Sequence, residues 1–155
     1  MIGGVENTEK FGIKVRADTF KFSIKSGRFT SGPMLRHARY GASSCVLNGK
    51  LYAVAGGDGS ELLSSIEQLD IENNKRNWKL IDLPAPFTPR LELMVSPLNE
   101  TQLLIAGGSK NKDAIVLDQS DMIPRLIKTT SQGNFNCFGR SVMIQQGVVI
   151  TVDSF

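Results

Sequence analysis

An internal repeat constrains this chain more than any other feature of its sequence. Residues 39–57 read RYGASSCVLNGKLYAVAGG, and residues 90–108 read RLELMVSPLNETQLLIAGG. In each segment an arginine precedes a glycine pair by 17 residues, and the two copies lie 51 residues apart. A third pair, Gly3-Gly4, lies 53 residues before Gly56-Gly57. Because one unit of this length cannot bury its own hydrophobic face, we expect successive copies to pack against one another.

The first copy has the pattern of a four-stranded antiparallel sheet. The predicted strands span residues 42–47, 51–55, 66–70 and 78–83. Asn48-Gly49, between the first two, is a strong hairpin signal, because both positions of such a turn need positive φ. Four antiparallel strands in about fifty residues form one blade of a β-propeller.

The blade pattern extends over the rest of the chain. We predict whole blades at 36–84 and 88–129, the second half of a blade at 1–35 and the first half of a blade at 134–155. Within the first half-blade, Gly3-Gly4 is expected to end a second strand, with residues 19–24 and 28–30 as the third and fourth strands. Within the last, residues 141–144 and 148–152 are expected to form the first hairpin.

Several positions resemble the kelch repeat. Arg39 precedes the first strand, Tyr52 lies in the second before Gly56-Gly57, and Leu69-Asp70 stands at the family's Tyr-Asp, with Trp78 nine residues later. The second copy matches at Arg90, Gly107-Gly108 and Leu117-Asp118, with Leu126 at the Trp position. The resemblance implies that the aromatic residue and the Trp pack between blades. The residues assigned this structural role are Gly3, Gly4, Tyr52, Gly56, Gly57, Asp70, Trp78, Gly107, Gly108 and Asp118.

We therefore predict an all-β, kelch-type β-propeller of four-stranded antiparallel blades. About three blade-equivalents are present, whereas propellers close with roughly four to eight blades. Two interpretations remain. Either the chain is part of a longer one, with six blades as is common in the kelch family, or two or more chains complete one ring. The first is favoured because both ends fall within a blade.

Composition and charge argue against several classes of function. The chain has 18 basic and 15 acidic residues, giving a net charge of +3, and its Lys and Arg residues are scattered, so we expect no nucleic-acid binding. Neither a long apolar run nor a signal peptide is visible, which favours a cytoplasmic protein without a membrane span. Cys45 and Cys137 lie far apart and are predicted to be free buried thiols.

The sequence does not predict an enzyme. His37 is the single histidine, and no Ser/His/Asp set, P-loop or HExxH motif occurs. Among kelch-like propellers, the copper radical oxidases need two His, two Tyr and a cross-linked Cys, and sialidase-like propellers need an Arg triad and Asp-boxes. We therefore expect no catalytic residue, metal or cofactor.

One rim of the propeller is the predicted binding surface, since the fourth-to-first and second-to-third strand connections share it and binding residues concentrate on such loops. The predicted partner-binding residues are Arg36, Arg39, Tyr40, Asp58, Glu61, Arg90, Lys110 and Lys112. The same connections carry His37, Ser60, Pro89, Ser109, Asn111, Asn134 and Asn136.

In kelch proteins this rim commonly captures a segment of another protein. We hypothesise that four of its cations contact an acidic segment, because the Arg fork recognises carboxylates. These cations are Arg36, Arg39, Arg90 and Lys112. Arg39 and Arg90 recur at the motif position, so a structural role, capping a strand or pairing with an acidic neighbour, stays open for both.

The predicted function is a non-enzymatic protein–protein interaction module, either a scaffold or a substrate-recognition domain, with further chains as one way to complete the propeller. The alternative is a structural subunit of a larger multi-protein assembly. Kelch propellers that act as ubiquitin-ligase receptors usually carry a separate BTB-type domain, which is not in this sequence.

Overall fold

The computed structural model describes residues 1–8, 12–73, 76–109 and 113–127, and the backbone of two further strands at 142–145 and 148–151. These residues form antiparallel sheets, and no helix occurs among them. Sheet I contains β1 (Ile2–Thr8), β2 (Gly12–Ser23) and β3 (Arg28–Ser31). Sheet II contains β4 (Ser43–Leu47), β5 (Lys50–Val54), β6 (Ile66–Asp70) and β7 (Lys79–Ile81). Sheet III contains β8 (Met94–Pro97), β9 (Gln102–Ala106), β10 (Ala114–Asp118) and β11 (Arg125–Ile127), and β12 (Val142–Gln145) pairs with β13 (Val148–Thr151).

The predicted fold class is confirmed. Sheets II and III are both four-stranded meanders in chain order, as propeller blades are. The first three predicted strands of sheet II agree with the observed ones to within one residue at each end, whereas the fourth, predicted at 78–83, is limited to Lys79–Ile81, so Trp78 lies just before it. In the part of the chain that the structure describes, no helix is long and apolar enough to cross a membrane.

The hairpin at Asn48-Gly49 forms as predicted. Asn48 has a φ of 48° and Gly49 a φ of 64°, and Leu47 pairs directly with Lys50. The corresponding hairpin of sheet III is one residue longer, closing with a 2.8 Å hydrogen bond from the Leu98 N–H to the Gln102 carbonyl. The second strands of the two sheets are therefore 52 residues apart, although the first strands are 51 apart.

This extra residue corrects the predicted alignment of the glycine pairs. Positive φ angles occur at Ala55 and Gly56 (57° and 100°) and at Gly107 and Gly108 (62° and 100°). Gly107-Gly108 thus corresponds to Ala55-Gly56 rather than to Gly56-Gly57. In sheet I the same pair of conformations falls on Gly3 and Gly4, at 61° and 126°.

The prediction that Gly3-Gly4 ends a strand is wrong. β1 shifts register between Ile2 and Gly4 and then continues to Thr8, paired with the first residues of β2. Residues 12–18 alternate between apolar and charged side chains, which is a strand pattern that the prediction of a strand at 19–24 left out. Sheet I consequently has a hairpin arm, in which residues 4–8 pair with residues 12–16, that sheets II and III lack.

The core lies between neighbouring sheets. Between sheets I and II, Trp78 packs with Leu35, Ala53 and Leu69, and its Nε1 donates a 3.0 Å hydrogen bond to the carbonyl oxygen of Pro33.

Tyr52 is fully buried between sheets II and III, where Val54 and Ile66 face Leu103 and Ile105. Its hydroxyl accepts 2.8 Å hydrogen bonds from the side-chain amides of Gln68 and Gln119. The prediction that Tyr52 and Trp78 pack between blades is confirmed.

Leu126 does not occupy the position of Trp78. It pairs with Ile115, as Leu80 pairs with Glu67, so its equivalent in sheet II is Leu80. Leu126 is 63% exposed, because the connection before β11 is shorter than the one before β7 and shifts the alignment of the fourth strands.

Substituting Gly56 tests the close approach of two backbones. Gly56 has a φ of 100°, and an added Cβ would lie 2.7 Å from the Tyr40 carbonyl oxygen. We expect Gly56→Ala to lower the free energy of unfolding by about 2 kcal/mol or more, from backbone strain together with overpacking. Gly27→Ala is the control, because Gly27 has a φ of 64° with no atom within 4 Å of an added Cβ, and should cost only about 1 kcal/mol. Urea unfolding measures both, and equal losses would contradict the role given to the Tyr40 contact.

Candidate functional site

The repeated arginine joins each sheet to the one before it. The Arg39 backbone contacts sheet I, donating to the Arg16 carbonyl at 3.1 Å and accepting from the Gly4 N–H at 2.8 Å. Its guanidinium contacts sheet II, with Nη1 2.9 Å from the Ala55 carbonyl oxygen and Nη2 2.7 Å from Glu67 Oε1. Arg39 thus bonds to two sheets at once.

Arg90 repeats this arrangement one sheet later. Its N–H donates to the Leu63 carbonyl at 3.2 Å and its carbonyl accepts from the Gly56 N–H at 2.9 Å, both in the part of the chain that belongs to sheet II. Its Nη1 donates to the Gly107 carbonyl at 3.0 Å and to Asp113 Oδ1 at 2.7 Å. The acidic partner differs between the two sheets, because Glu67 lies within β6 whereas Asp113 directly precedes β10.

Both arginines are fully buried, so neither guanidinium is open to a partner protein. The prediction that Arg39 and Arg90 form part of the binding rim is therefore corrected. Of the roles that the sequence left open, pairing with an acidic neighbour is the one observed.

Glu67 is a buried carboxylate that sequence reasoning missed. It accepts hydrogen bonds from the backbone N–H groups of Arg36 (2.6 Å) and His37 (2.9 Å) in addition to the Arg39 ion pair. It therefore fixes the loop between sheets I and II. Sheet III has Ile115 at the equivalent position. β6 reads IEQLD, so its sequence gave no signal that Glu67, rather than Gln68 or Asp70, would be the fully buried polar residue.

Three rim connections enclose a groove of about 580 Å³. They are the loops that follow β3, β5 and β7. The groove lining includes Arg36, His37, Asp58, Glu61, Leu62 and Pro89. The structure thus brings together the predicted rim residues Arg36, Asp58 and Glu61 from two separate connections.

Asp58 organises the loop on one side of this groove. Its Oδ1 accepts hydrogen bonds from the Ser60 N–H and the Glu61 N–H, both at 2.8 Å, and from the Ser60 hydroxyl at 2.7 Å. The hydrogen bonds from the Glu61 backbone and from Ser60 lower the pKa of Asp58 from 3.8 to about 2. Asp58 is therefore charged at neutral pH.

Among the described residues, the predicted rim residues Tyr40 and Ser109 do not line the groove. Tyr40 exchanges two 2.9 Å backbone hydrogen bonds with Gly57, and its ring lies so close that a Cβ on Gly57 would be 2.8 Å from the ring atom Cε1. Ser109 donates its N–H to the Leu91 carbonyl at 2.8 Å. The predicted sites at Lys110, Asn111, Lys112, Asn134 and Asn136 lie outside the described residues.

Asp70 and Asp118 accept hydrogen bonds in the turns that follow their strands. Asp70 Oδ1 accepts from the Asn73 N–H at 2.9 Å, and Asp118 Oδ1 from the Ser120 N–H at 3.0 Å. Hydrogen bonds led by those from Ser120 lower the pKa of Asp118 to about 2. Both carboxylates therefore stabilise local turns.

Cys45 is a half-buried free thiol, and its burial raises its pKa to about 12. This environment keeps Cys45 protonated at neutral pH and makes it a poor nucleophile. Cys137 lies outside the described residues.

Four-stranded antiparallel sheets that follow one another along the chain and pack against their neighbours define a propeller-type repeat protein. A family model of the kelch motif matches residues 38–77, which include Arg39, Tyr52 and Gly56-Gly57. The predicted resemblance to the kelch repeat is therefore confirmed for residues 38–77.

A curated relative, Adagio-like protein 1 of Oryza sativa subsp. japonica, is 30% identical over 110 residues, which cover 65% of this chain. The chain spans 17% of the length of that relative.

Removing the charge of Glu67 tests the buried arginine arrangement. We expect Glu67→Gln to lower the free energy of unfolding by about 3–5 kcal/mol, because Arg39 would stay buried without its counter-charge. Asp121→Asn is the control, since it breaks the exposed Asp121–Arg125 pair of 2.5 Å, which water already screens. Denaturant unfolding measures both. A Glu67→Gln loss no larger than that of the control would contradict this account.

Proposed function

We propose that this chain is part of a protein-interaction module that holds a segment of a partner protein in the rim groove. The kelch motif at residues 38–77 supports a protein-interaction role in general. The observation that carries the finer proposal is the meeting of three inter-strand loops around a groove of about 580 Å³. We propose binding there without a chemical reaction.

Rigid groove walls support this proposal. The backbone of Arg36 and His37 is held by Glu67, and the facing loop is held by Asp58 and by a 2.7 Å bond from the Leu63 N–H to the Gly56 carbonyl. A preorganised site loses less conformational entropy when it binds a partner.

Arg36 is the described residue best placed to receive a carboxylate of the partner. It is exposed at the groove, whereas the other arginines of the original hypothesis, Arg39 and Arg90, are buried. Its guanidinium makes no hydrogen bond or ion pair within the described ranges, so its donors are available for a bidentate contact.

Peptide selection against the protein tests the groove. Random peptides selected on the wild-type protein should bind Arg36→Glu at least about tenfold more weakly, because the substitution reverses a charge that faces the groove. Arg76→Glu is the matched control: it makes the same change on an exposed residue of the β6–β7 connection, at the opposite rim. Fluorescence titration measures both affinities. Selected peptides that bind Arg36→Glu as tightly as wild type would rule out this groove as the binding site.

We also propose that sheets II and III are whole blades of a larger ring, in which a further sheet packs on sheet I. Phe22 and Phe29 are paired neighbours with ring centroids 4.8 Å apart, on positions equivalent to Leu69 and Trp78. Leu69 and Trp78 pack against the preceding sheet, whereas Phe22 and Phe29 are 53% and 64% exposed. The added sheet would come from a longer chain or from a second one.

Charge substitution on sheet I tests this ring. In the full protein, Phe29→Glu should lower the free energy of unfolding by about 3 kcal/mol or more, because it would place a carboxylate between two packed sheets. Leu126→Glu is the control, since Leu126 is similarly exposed at 63% on an edge strand. Equal effects of the two substitutions on thermal unfolding would contradict the added sheet.

A further inference from the structure

The loops that line the groove carry charges of both signs. Arg36 comes from the loop between sheets I and II, and Asp58 and Glu61 come from the loop between β5 and β6. Within residues 1–8, 12–73, 76–109 and 113–127, none of the three forms an ion pair. The groove therefore presents one cation and two carboxylates that have no ion-pair partner among the described residues.

This distribution differs from the acidic-segment hypothesis. That hypothesis relied on four cations, of which Arg39 and Arg90 are consumed by buried ion pairs and Lys112 lies outside the described residues. An acidic segment would meet Arg36 but would also face Asp58 and Glu61. Like charges brought together at an interface are unfavourable and act against such a partner.

Apolar surface accompanies these charges. Leu62 is 38% exposed, and Pro89 and the half-buried Leu63 also line the groove. An extended segment could place an apolar side chain here while its charged neighbours reach the two sides.

We infer that the groove selects a bipolar protein segment, in which a basic residue pairs with Asp58 and Glu61 and an acidic residue pairs with Arg36. An apolar residue of the same segment contacts Leu62 and Pro89. This inference rests on the proposed function and specifies the chemistry of the partner.

The loops hold this charge pattern in place. Glu67 accepts the Arg36 N–H at 2.6 Å, and Asp58 Oδ1 accepts the Glu61 N–H at 2.8 Å. Since the backbone is fixed at both Arg36 and Glu61, the direction across the groove from the positive to the negative charge is set by the fold. A segment with the opposite order of charges would have to bind in the reverse chain direction.

Three short synthetic peptides test the charge requirement on the full protein by fluorescence titration. Each has the same Gly/Ser flanks around a central Leu, which is flanked by Lys and Asp, by Asp and Lys, or by two Asp residues. We expect one of the bipolar peptides to bind about tenfold tighter than the acidic peptide. Glu61→Lys should weaken that bipolar peptide and strengthen the acidic one.

The double variant Arg36→Glu/Glu61→Lys should exchange the preference between the two bipolar peptides. Glu72→Lys/Arg76→Glu is the matched control, because it makes the same charge changes on exposed residues of the β6–β7 connection and should leave all three affinities unchanged. An acidic peptide that binds as tightly as the tighter of the two bipolar peptides would overturn the inference, as would no binding by any of the three.

The fate of the proposed function is decided separately by the peptides selected from a random library. Selected peptides that need Arg36 but carry no basic residue would keep the groove as a binding site and overturn the bipolar rule. Selected peptides that bind Arg36→Glu as tightly as wild type would contradict both the groove as a binding site and the bipolar rule.

Discussion

The architecture depends on one buried arginine in each repeat. Arg39 and Arg90 bond through their backbones to the preceding sheet and through their guanidinium groups to their own. A buried guanidinium is tolerated only when an acidic partner and further acceptors compensate its desolvation, and Glu67 or Asp113, with carbonyl oxygens, provides this. The glycines with positive φ are required next to it, because two backbones approach closely there.

This same interaction shapes the surface above it. Glu67 neutralises Arg39 and also holds the backbone of Arg36 and His37, so the inter-sheet contact fixes one side of the rim groove. In sheet III the acidic partner of the repeated arginine is Asp113, and the position equivalent to Glu67 is occupied by Ile115. The loop between sheets I and II is thus organised differently from the one that follows, which gives this part of the rim its own binding chemistry.

The buried pair also changes which charges the rim exposes. Counting cations in the sequence suggested an acidic ligand, but burial removes Arg39 and Arg90 from the surface and leaves Arg36 in a groove that Asp58 and Glu61 also line. In the recognition that we propose, the order of charges along the partner matters more than its net charge. The hairpin arm of sheet I, which neither sheet II nor sheet III has, adds a second difference along the same rim.

The sequence by itself determined the repeat, the four-stranded sheets, the Asn48-Gly49 turn and the inter-sheet positions of Tyr52 and Trp78, because these follow from local periodicity and turn chemistry. It could not determine the one-residue shift between the glycine pairs or the exposure of Leu126, since both depend on loop lengths that only strand pairing reveals. The tertiary structure alone decided that Arg39 and Arg90 are buried and that Arg36 is exposed. The physical reason is that burial depends on which acid the fold brings next to the guanidinium group, and Glu67 is 28 residues from Arg39 along the chain.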